Sequence, residues 1–481
     1  MRELVEHALW AARQKGASYA DIRILSEKEE SLTTKNGEAR SINMDESLGY
    51  GIRVLCDGAW GFAANSLLTK EDIEKTAAKA VEIARSSATV NIEKANLVPC
   101  GIYDDVWFNP YEINPFNIPV SDKVGLLLGI DGILRRDKRI ISAECFMDFI
   151  DTTKWLGTSE GSFIEQRFMV SGAGYTVDSF LEGEVQKRSF PASFRGRYAQ
   201  GGYELVESLN LAGSAERVRE EAIALLYARN LSASKKDLII KGDQMALQIH
   251  ESLGHPSELD RVLGMEANYA GTSFLTTDKK GVFKYGSPAV SIVADGTQPG
   301  GLATCGYDDD GVRSKRWNIV KNGIFMNYLT NREFAAKAGD TESFGANRAD
   351  GWSNIPMIRM TNISLLPGSW ELEDLIADTE DGVLYDTNKS WSIDQKRLNF
   401  QFTSEIGWEI KNGRLGDIIK NPTYQGITPE FWGSCDAVCN AEYWTLWGVV
   451  NCGKGQPLQT AMMSHGASPA RFRGVNVGMP V

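Results

Sequence analysis

The stretch "DQMALQIHESLGHPSELD", residues 243–260, decides how the C-terminal half of this chain is built. It carries His250, Glu251 and His255, and so two of the four histidines in 481 residues. "QMALQIHESL" is rich in helix formers and Asp243 stands where an N-cap belongs, so a helix is predicted. At ~100° per residue, side chains four apart on a helix diverge by about 40° and side chains five apart by about 140°. The two histidines are five apart, and a regular helix cannot aim both at one ion. Gly254 relaxes the backbone ahead of His255, while Pro256 disfavours the α region for the residue before it. The predicted outcome is a helix that breaks at Gly254 or widens through a π-type turn, so that the His255 ring swings back toward His250.

Two neutral imidazoles suit zinc, and a catalytic zinc commonly takes three protein ligands and a water. Glu251, next to the first histidine, is placed to take a proton from that water, as the glutamate of H-E-x-x-H enzymes does. In a chain so poor in histidine, two of them flanking a glutamate on a helix outweigh the alternative that both merely cap or solvate a helix end. Four residues are candidates for the third ligand. Cys435, Cys439 and Cys452 lie in "CDAVCNAEYWTLWGVVNCGKGQP", and His465 lies in "MMSHGASPARFRG". Cys452 follows an apolar run and precedes glycines that allow close backbone approach, and as a thiolate it would reduce the site's charge from +2 to +1. Spacing leaves the choice open.

Composition bounds the rest. The chain is 42% hydrophobic and 24% charged, the content of a soluble globular protein. No apolar run approaches membrane-spanning length, and the N-terminal "MRELVEHALWAARQKG" is a helix with acids in it, not a signal peptide. A cytoplasmic location and no membrane partner are expected. The net charge of -12 argues against direct nucleic-acid binding and leaves small or peptidic substrates open. Seven cysteines, an odd number spread along the chain, do not read as a disulfide framework.

The predicted fold is α+β in three units. A small N-terminal α/β unit (1–95) has a helix with Leu4, Val5, Ala8, Leu9 and Ala12 on one stripe. Its hairpin signals are Asn36-Gly37 and Asp57-Gly58, and Thr69 with Asp72 forms a capping box. A central α+β unit (96–232) opens with a proline-rich extended connector over 97–120. It continues with a helix near 121–136, turns at 159–161 and at Gly172-Ala173-Gly174, and a long amphipathic helix over about 204–229. A larger β-rich C-terminal domain (233–481), with a two-residue turn at Asn322-Gly323, has a few short helices that carry the metal motif.

At this point the chain resembles the TldD/PmbA family of zinc metallopeptidases, also described as DNA gyrase modulators. The resemblance spans nearly the whole sequence. It rests on "HESLGHPSELD", "SIVADGTQPGGLATCGYDDDGV", "ESFGANRADGWSNIPMIRMTNISLLPG" and "NCGKGQP…SHGASPARFRGVNVG". The H-E-x-x-x-H form resembles the metal-bearing TldD-like branch. That implies His250, His255 and Cys452 as zinc ligands and Glu251 as general base. It implies a zinc-dependent endopeptidase that cuts unfolded peptides inside an enclosed dimer cavity. The dimer is expected to be a homodimer or a heterodimer with a metal-less PmbA-like paralogue. The competing reading is a non-catalytic binding or regulatory protein of the gyrase-modulator kind, with the metal absent or structural and His465 as a fourth ligand.

Three further segments draw expectations. Asp308 to Asp310 reads as a solvated turn sooner than as an acidic metal cluster. Arg348 is a candidate for a peptide carboxylate or for an ion pair that holds a loop. "PMIRMTNISL" reads as an interior strand, with strand-edge pairing to an extended peptide as the alternative.

Overall fold

The computed structural model describes residues 1–91 and 93–478. The fold is mixed α+β in three domains with a β-rich C-terminal region.

The first two units donate neighbouring strands to one eight-stranded sheet. Its order is Ala59–Asn65, Glu38–Cys56, Tyr19–Lys35, Ile140–Thr158, Phe163–Leu181 and Asp104–Phe108, with Glu184–Phe190 and Arg197–Gln200 also paired to Phe163–Leu181. Asn36-Gly37 and Asp57-Gly58 turn the first three strands, both residues of each pair having positive φ as tight hairpin turns require. The sheet is covered by two helical groups. Arg2–Gln14 buries Val5, Ala8, Ala11 and Ala12 beside Lys70–Ala88, whose N-cap Thr69 accepts from the Asp72 N–H at 3.1 Å. Val120–Leu134 and Leu211–Tyr227 close a second core over Leu32, Met147, Phe149 and Tyr175.

Two expectations for the central unit are corrected. Gly172-Ala173-Gly174 is not a turn: it lies inside Phe163–Leu181, where the Gly196 Cα stands 2.4 Å from where a Gly174 Cβ would be. The glycine permits close backbone approach and makes no bend. The long helix is two, Glu204–Ser208 and Leu211–Tyr227, interrupted at Asn210 with φ 47°. The proline-rich extended connector packs against the sheet, where Asp104–Phe108 within it pairs in parallel with Phe163–Leu181.

In the C-terminal half, five strands pair in a closed circuit. Asp381–Ile393 pairs with Ser234–Ile240, then follow Ala470–Val477, Thr423–Ile427 and Asn399–Lys411, which pairs again with Asp381–Ile393. Closure leaves no free edge in that circuit. Beside it lie a four-stranded sheet ending in Asn362–Leu365 and the separate hairpin Thr445–Lys454/Gln459–Ala467. Asn362–Leu365 is thus an edge strand, not an interior one, but the 459–467 strand covers it through side chains: Ser464 N–H donates to Asn362 Oδ1 at 3.1 Å and Gly466 N–H to Ser364 Oγ at 2.9 Å.

The acidic run joins the two halves and is neither a solvated turn nor a metal cluster. Asp308, Asp309 and Asp310 are all buried. Arg53 bridges Asp21 and Asp310, at 2.7 Å from each, and Lys154 reaches Asp309 at 2.6 Å with Arg23 at 3.5 Å. Burial raises the Asp309 carboxyl, but Lys154 and Arg23 outweigh it and hold it down to about 2. Asp308 accepts from the backbone N–H groups of Asp310, Val312 and Asn347, fixing the loop itself. Removing one member of such a pair strands a buried charge, at a cost of about 3–5 kcal/mol. Among the described residues no helix is long and apolar enough to cross a membrane.

Candidate metal centre

The motif begins as an α-helix, Gly242–Ile249, continues as one π-turn over His250–Gly254 and tightens to a 3₁₀ turn at His255–Ser257. The His255 N–H donates to the His250 carbonyl, five residues back. Widening the turn by one residue is what brings side chains five apart onto one side. The rings of His250 and His255 stand 4.8 Å apart between centroids at 82°. The π-turn is therefore present, but the break at Gly254 is not. Gly254 (φ -54°, ψ -64°) and His255 (φ -60°, ψ -46°) both stay helical. Glycine makes room there, since the Met360 sulfur lies 2.3 Å from where its Cβ would stand and a larger residue would have to displace that side chain. Asp243 is not the N-cap either. The cap is Lys241, and Asp243 accepts instead from the Ser193 N–H (2.8 Å) and hydroxyl (2.6 Å), tying the helix start to the first half of the chain.

Cys452 arrives from the hairpin Thr445–Lys454/Gln459–Ala467, whose register shifts between Val449 and Cys452. Arg359 fixes this end of the hairpin, donating to the carbonyls of Cys452 and of Gln459. One donor atom each from His250, His255 and Cys452 lies within 4.8 Å of the other two, all three residues buried. Cys452 Sγ is 3.7 Å from His255 Nε2. This is close to the edge of ~3.6 Å that zinc bond lengths of about 2.0–2.1 Å to nitrogen and 2.3 Å to sulfur give in a tetrahedron.

Hydrogen bonds assign the tautomers. His465 Nδ1 donates to the Ile363 carbonyl at 2.9 Å, so its Nε2 is an acceptor and receives the His250 Nδ1–H at 2.8 Å. His255 Nδ1–H donates to Glu258 Oε2 at 3.0 Å. Both histidines thus turn a bare Nε2 lone pair inward, the state a metal ligand needs. Burial keeps the rings neutral. It lowers His255, with help from Arg397, to about 3 and His465 to about 4, and pushes the Cys452 thiol up to about 11. Two imidazoles and a thiol that must ionise form a donor set that fits zinc.

Outside the donor set, Glu258 links His255 to Lys454, which lies 3.4 Å from Glu258 and 2.7 Å from Asp260. Burial would raise the Glu258 carboxyl, but Lys454 and His255 outweigh it and hold it below the usual range. Cys452 and Lys454, two apart on one strand, therefore serve the ion and its supporting carboxylate from the same face. Glu258→Gln is expected to weaken zinc binding about 10–100-fold. Competition with a chromogenic chelator measures it, and an unchanged affinity would show that the carboxylate does not tune its histidine.

Glu251 lines a cleft of ≈ 250 Å³ together with His250, His255 and Cys452, with Phe194, Leu247, Trp391 and Trp447 as apolar walls. Its carboxylate contacts the Arg397 guanidinium directly. Burial raises the Glu251 carboxyl above its ordinary value, with Arg397 working against that.

The remaining candidates lie elsewhere. Cys435 packs in the main C-terminal core, and Cys439 packs with Leu375 and Leu384 in a smaller one. His465 stands behind His250. Arg348 forms no carboxylate pair among the described residues: it donates to the carbonyls of Met462 (2.9 Å) and Met360 (2.5 Å). Sequence reasoning missed Arg397, Glu258 and Lys454. The first has no motif and comes from a hairpin turn. Glu258 stands three residues after His255, the one spacing that could have flagged it.

Family models for the PmbA/TldA metallopeptidase match domain 1 at residues 20–84, the central domain at 113–226 and the C-terminal domain at 234–479. The chain belongs to the PmbA/TldD family. A metalloprotease of Methanocaldococcus jannaschii is 29% identical over 87% of this chain and 89% of its own length. A zinc metalloprotease TldD homologue of Saccharolobus solfataricus is 23% identical over 87% and 88%. Among solved structures, TldE of Thermococcus kodakarensis superposes with a TM-score of 0.76 at 16% identity, covering 99% of this chain and 100% of that one. A candidate modulator of a DNA gyrase from Thermotoga maritima reaches 0.78 at 19% identity, with 99% of each chain covered. These two likenesses bear on the fold.

Proposed function

We propose that this chain is a zinc-dependent endopeptidase of unfolded peptides, with His250, His255 and Cys452 as ligands and Glu251 as general base. One observation carries the reading. Two inward Nε2 lone pairs and a thiol converge in the cleft that Glu251 also lines. A zinc ion held there would supply an acidified water and a Lewis acid for the peptide carbonyl. The chain's own residues do the rest. Glu251 takes the proton from the attacking water and delivers it to the leaving nitrogen as the C–N bond breaks. The apolar walls seat side chains flanking the scissile bond. The dimer with an enclosed cavity, formed with a second copy or with a metal-less relative, is part of the same proposal and rests on family membership. A cytoplasmic location belongs with it.

The test is metal analysis with a cleavage assay on an unstructured reporter peptide. Near one zinc per chain is expected, with cleavage lost on chelation, regained on adding zinc, and absent when the same peptide is embedded in a folded domain. Folded protein that takes up no zinc under any supply would overturn the reading and favour a binding protein.

A further inference from the structure

The turn between the strands Asp381–Ile393 and Asn399–Lys411 is tightly determined. The Asp394 carboxylate accepts from the Leu398 N–H (2.8 Å) and the Asn399 N–H (3.1 Å), the Arg397 N–H donates to the Asp394 carbonyl at 2.9 Å, and the Thr428 hydroxyl donates to the Arg397 carbonyl at 2.9 Å. In it Arg397 adopts φ 64°, the left-handed region that suits glycine. Such an outlier, held by its surroundings, asks what the side chain does. The side chain is 14% exposed and enters the cleft that His250, His255, Glu251 and Cys452 line. One terminal nitrogen contacts Glu251 Oε2, and Nε is buried without a hydrogen-bond partner among the described residues. The left-handed backbone thus places a guanidinium beside the base, in the cleft that the donor set lines.

We propose that Arg397 is a catalytic residue: the guanidinium that pairs with Glu251 at rest stabilises the scissile carbonyl oxygen as negative charge builds there. The inference rests on the peptidase reading. Before reaction the negative charge nearest Arg397 is on Glu251. As the water O–H breaks, its proton goes to Glu251, its oxygen bonds to the carbonyl carbon, and the carbonyl π pair moves onto the carbonyl oxygen. One negative charge has left the carboxylate and appeared on the peptide. A fixed cation bearing several donors serves both positions without reorganising solvent. On collapse the C–N bond breaks and Glu251 returns the proton to nitrogen. Arg397 makes and breaks no covalent bond.

Arg397→Gly is the informative variant, because glycine accepts the left-handed backbone and should fold. Arg397→Lys keeps the charge and loses the fork. The readouts are zinc content, kcat and KM on the unstructured peptide, and calorimetric affinity of the zinc-loaded protein for a phosphinic peptide, which carries tetrahedral charge, against the product peptide. Zinc content should stay at the wild-type level. The kcat of Arg397→Gly should fall about 10²–10³-fold with KM changed only a few-fold. Phosphinate binding should weaken by a similar factor while product binding holds. Arg397→Lys should fall between the two, and added guanidinium should partly rescue Arg397→Gly. A lost kcat with unchanged phosphinate affinity would make Arg397 a positioning residue for Glu251 and overturn the proposal, as would an undiminished kcat. Wild-type protein without zinc and without cleavage would sink the peptidase reading, and this inference with it. Active wild type beside an equally active Arg397→Gly sinks this inference alone.

Discussion

Glu251→Gln is expected to keep its full zinc complement and to lose cleavage of an unfolded peptide by about 10²–10⁴-fold. The metal should stay because Glu251 is outside the converging donor set and its carboxylate is engaged with Arg397. Glutamine fills the same volume and still offers an oxygen to that guanidinium, so the cleft keeps its shape. What it cannot do is accept a proton from water and pass it on. Zinc analysis, a near-native circular dichroism spectrum and the reporter-peptide assay separate these effects. Loss of metal would place Glu251 among the ligands, and undiminished cleavage would remove it as the base.

Cys452→Ala is expected to lower zinc affinity by orders of magnitude and to abolish the main pH dependence of binding. In the wild type, burial pushes the thiol up to about 11, so at neutral pH zinc must displace one proton from sulfur. Wild-type affinity should therefore fall about tenfold for each pH unit of acidification, as proton concentration rises against the metal. The imidazoles add no such competition, since His255 stays neutral down to about 3 and His250 lies well below its usual range. Competition titrations from pH 6 to 8 read the slope. A variant that keeps both affinity and slope would move the third ligand away from Cys452.

How far the site was legible turns on a few residues. The spacing of His250 and His255 was enough to demand a departure from regular helix, because helix geometry is fixed. The kind of departure was harder to place. A π-turn depends on what the neighbouring chain tolerates, and the clue assigned to Gly254, backbone freedom, was the wrong property of glycine: the residue makes room for Met360. Cys452 could be nominated but not separated by spacing from Cys435, Cys439 and His465, since closing a centre across about 200 residues is a matter of tertiary packing. Hairpins announced themselves through Asn36-Gly37, Asp57-Gly58 and Asn322-Gly323, where the turn chemistry is local. Asp308 to Asp310 failed for the opposite reason. Their cations come from Arg53, Lys154 and Arg23, far away in sequence, and a run of acids considered alone looks wet.

The single sheet shared by the first two units of the chain limits how this protein can be taken apart. A cut between residues 65 and 104 would strip the Tyr19–Lys35 strand from Ile140–Thr158, a ladder running from Asp21 to Lys35. Each fragment would then carry a long, unsatisfied row of amides and carbonyls, the template on which aggregates grow. Modular swapping of the N-terminal piece, or expression of a minimal catalytic fragment that keeps only part of the sheet, is thereby disfavoured, and evolution is left to vary the chain by its loops.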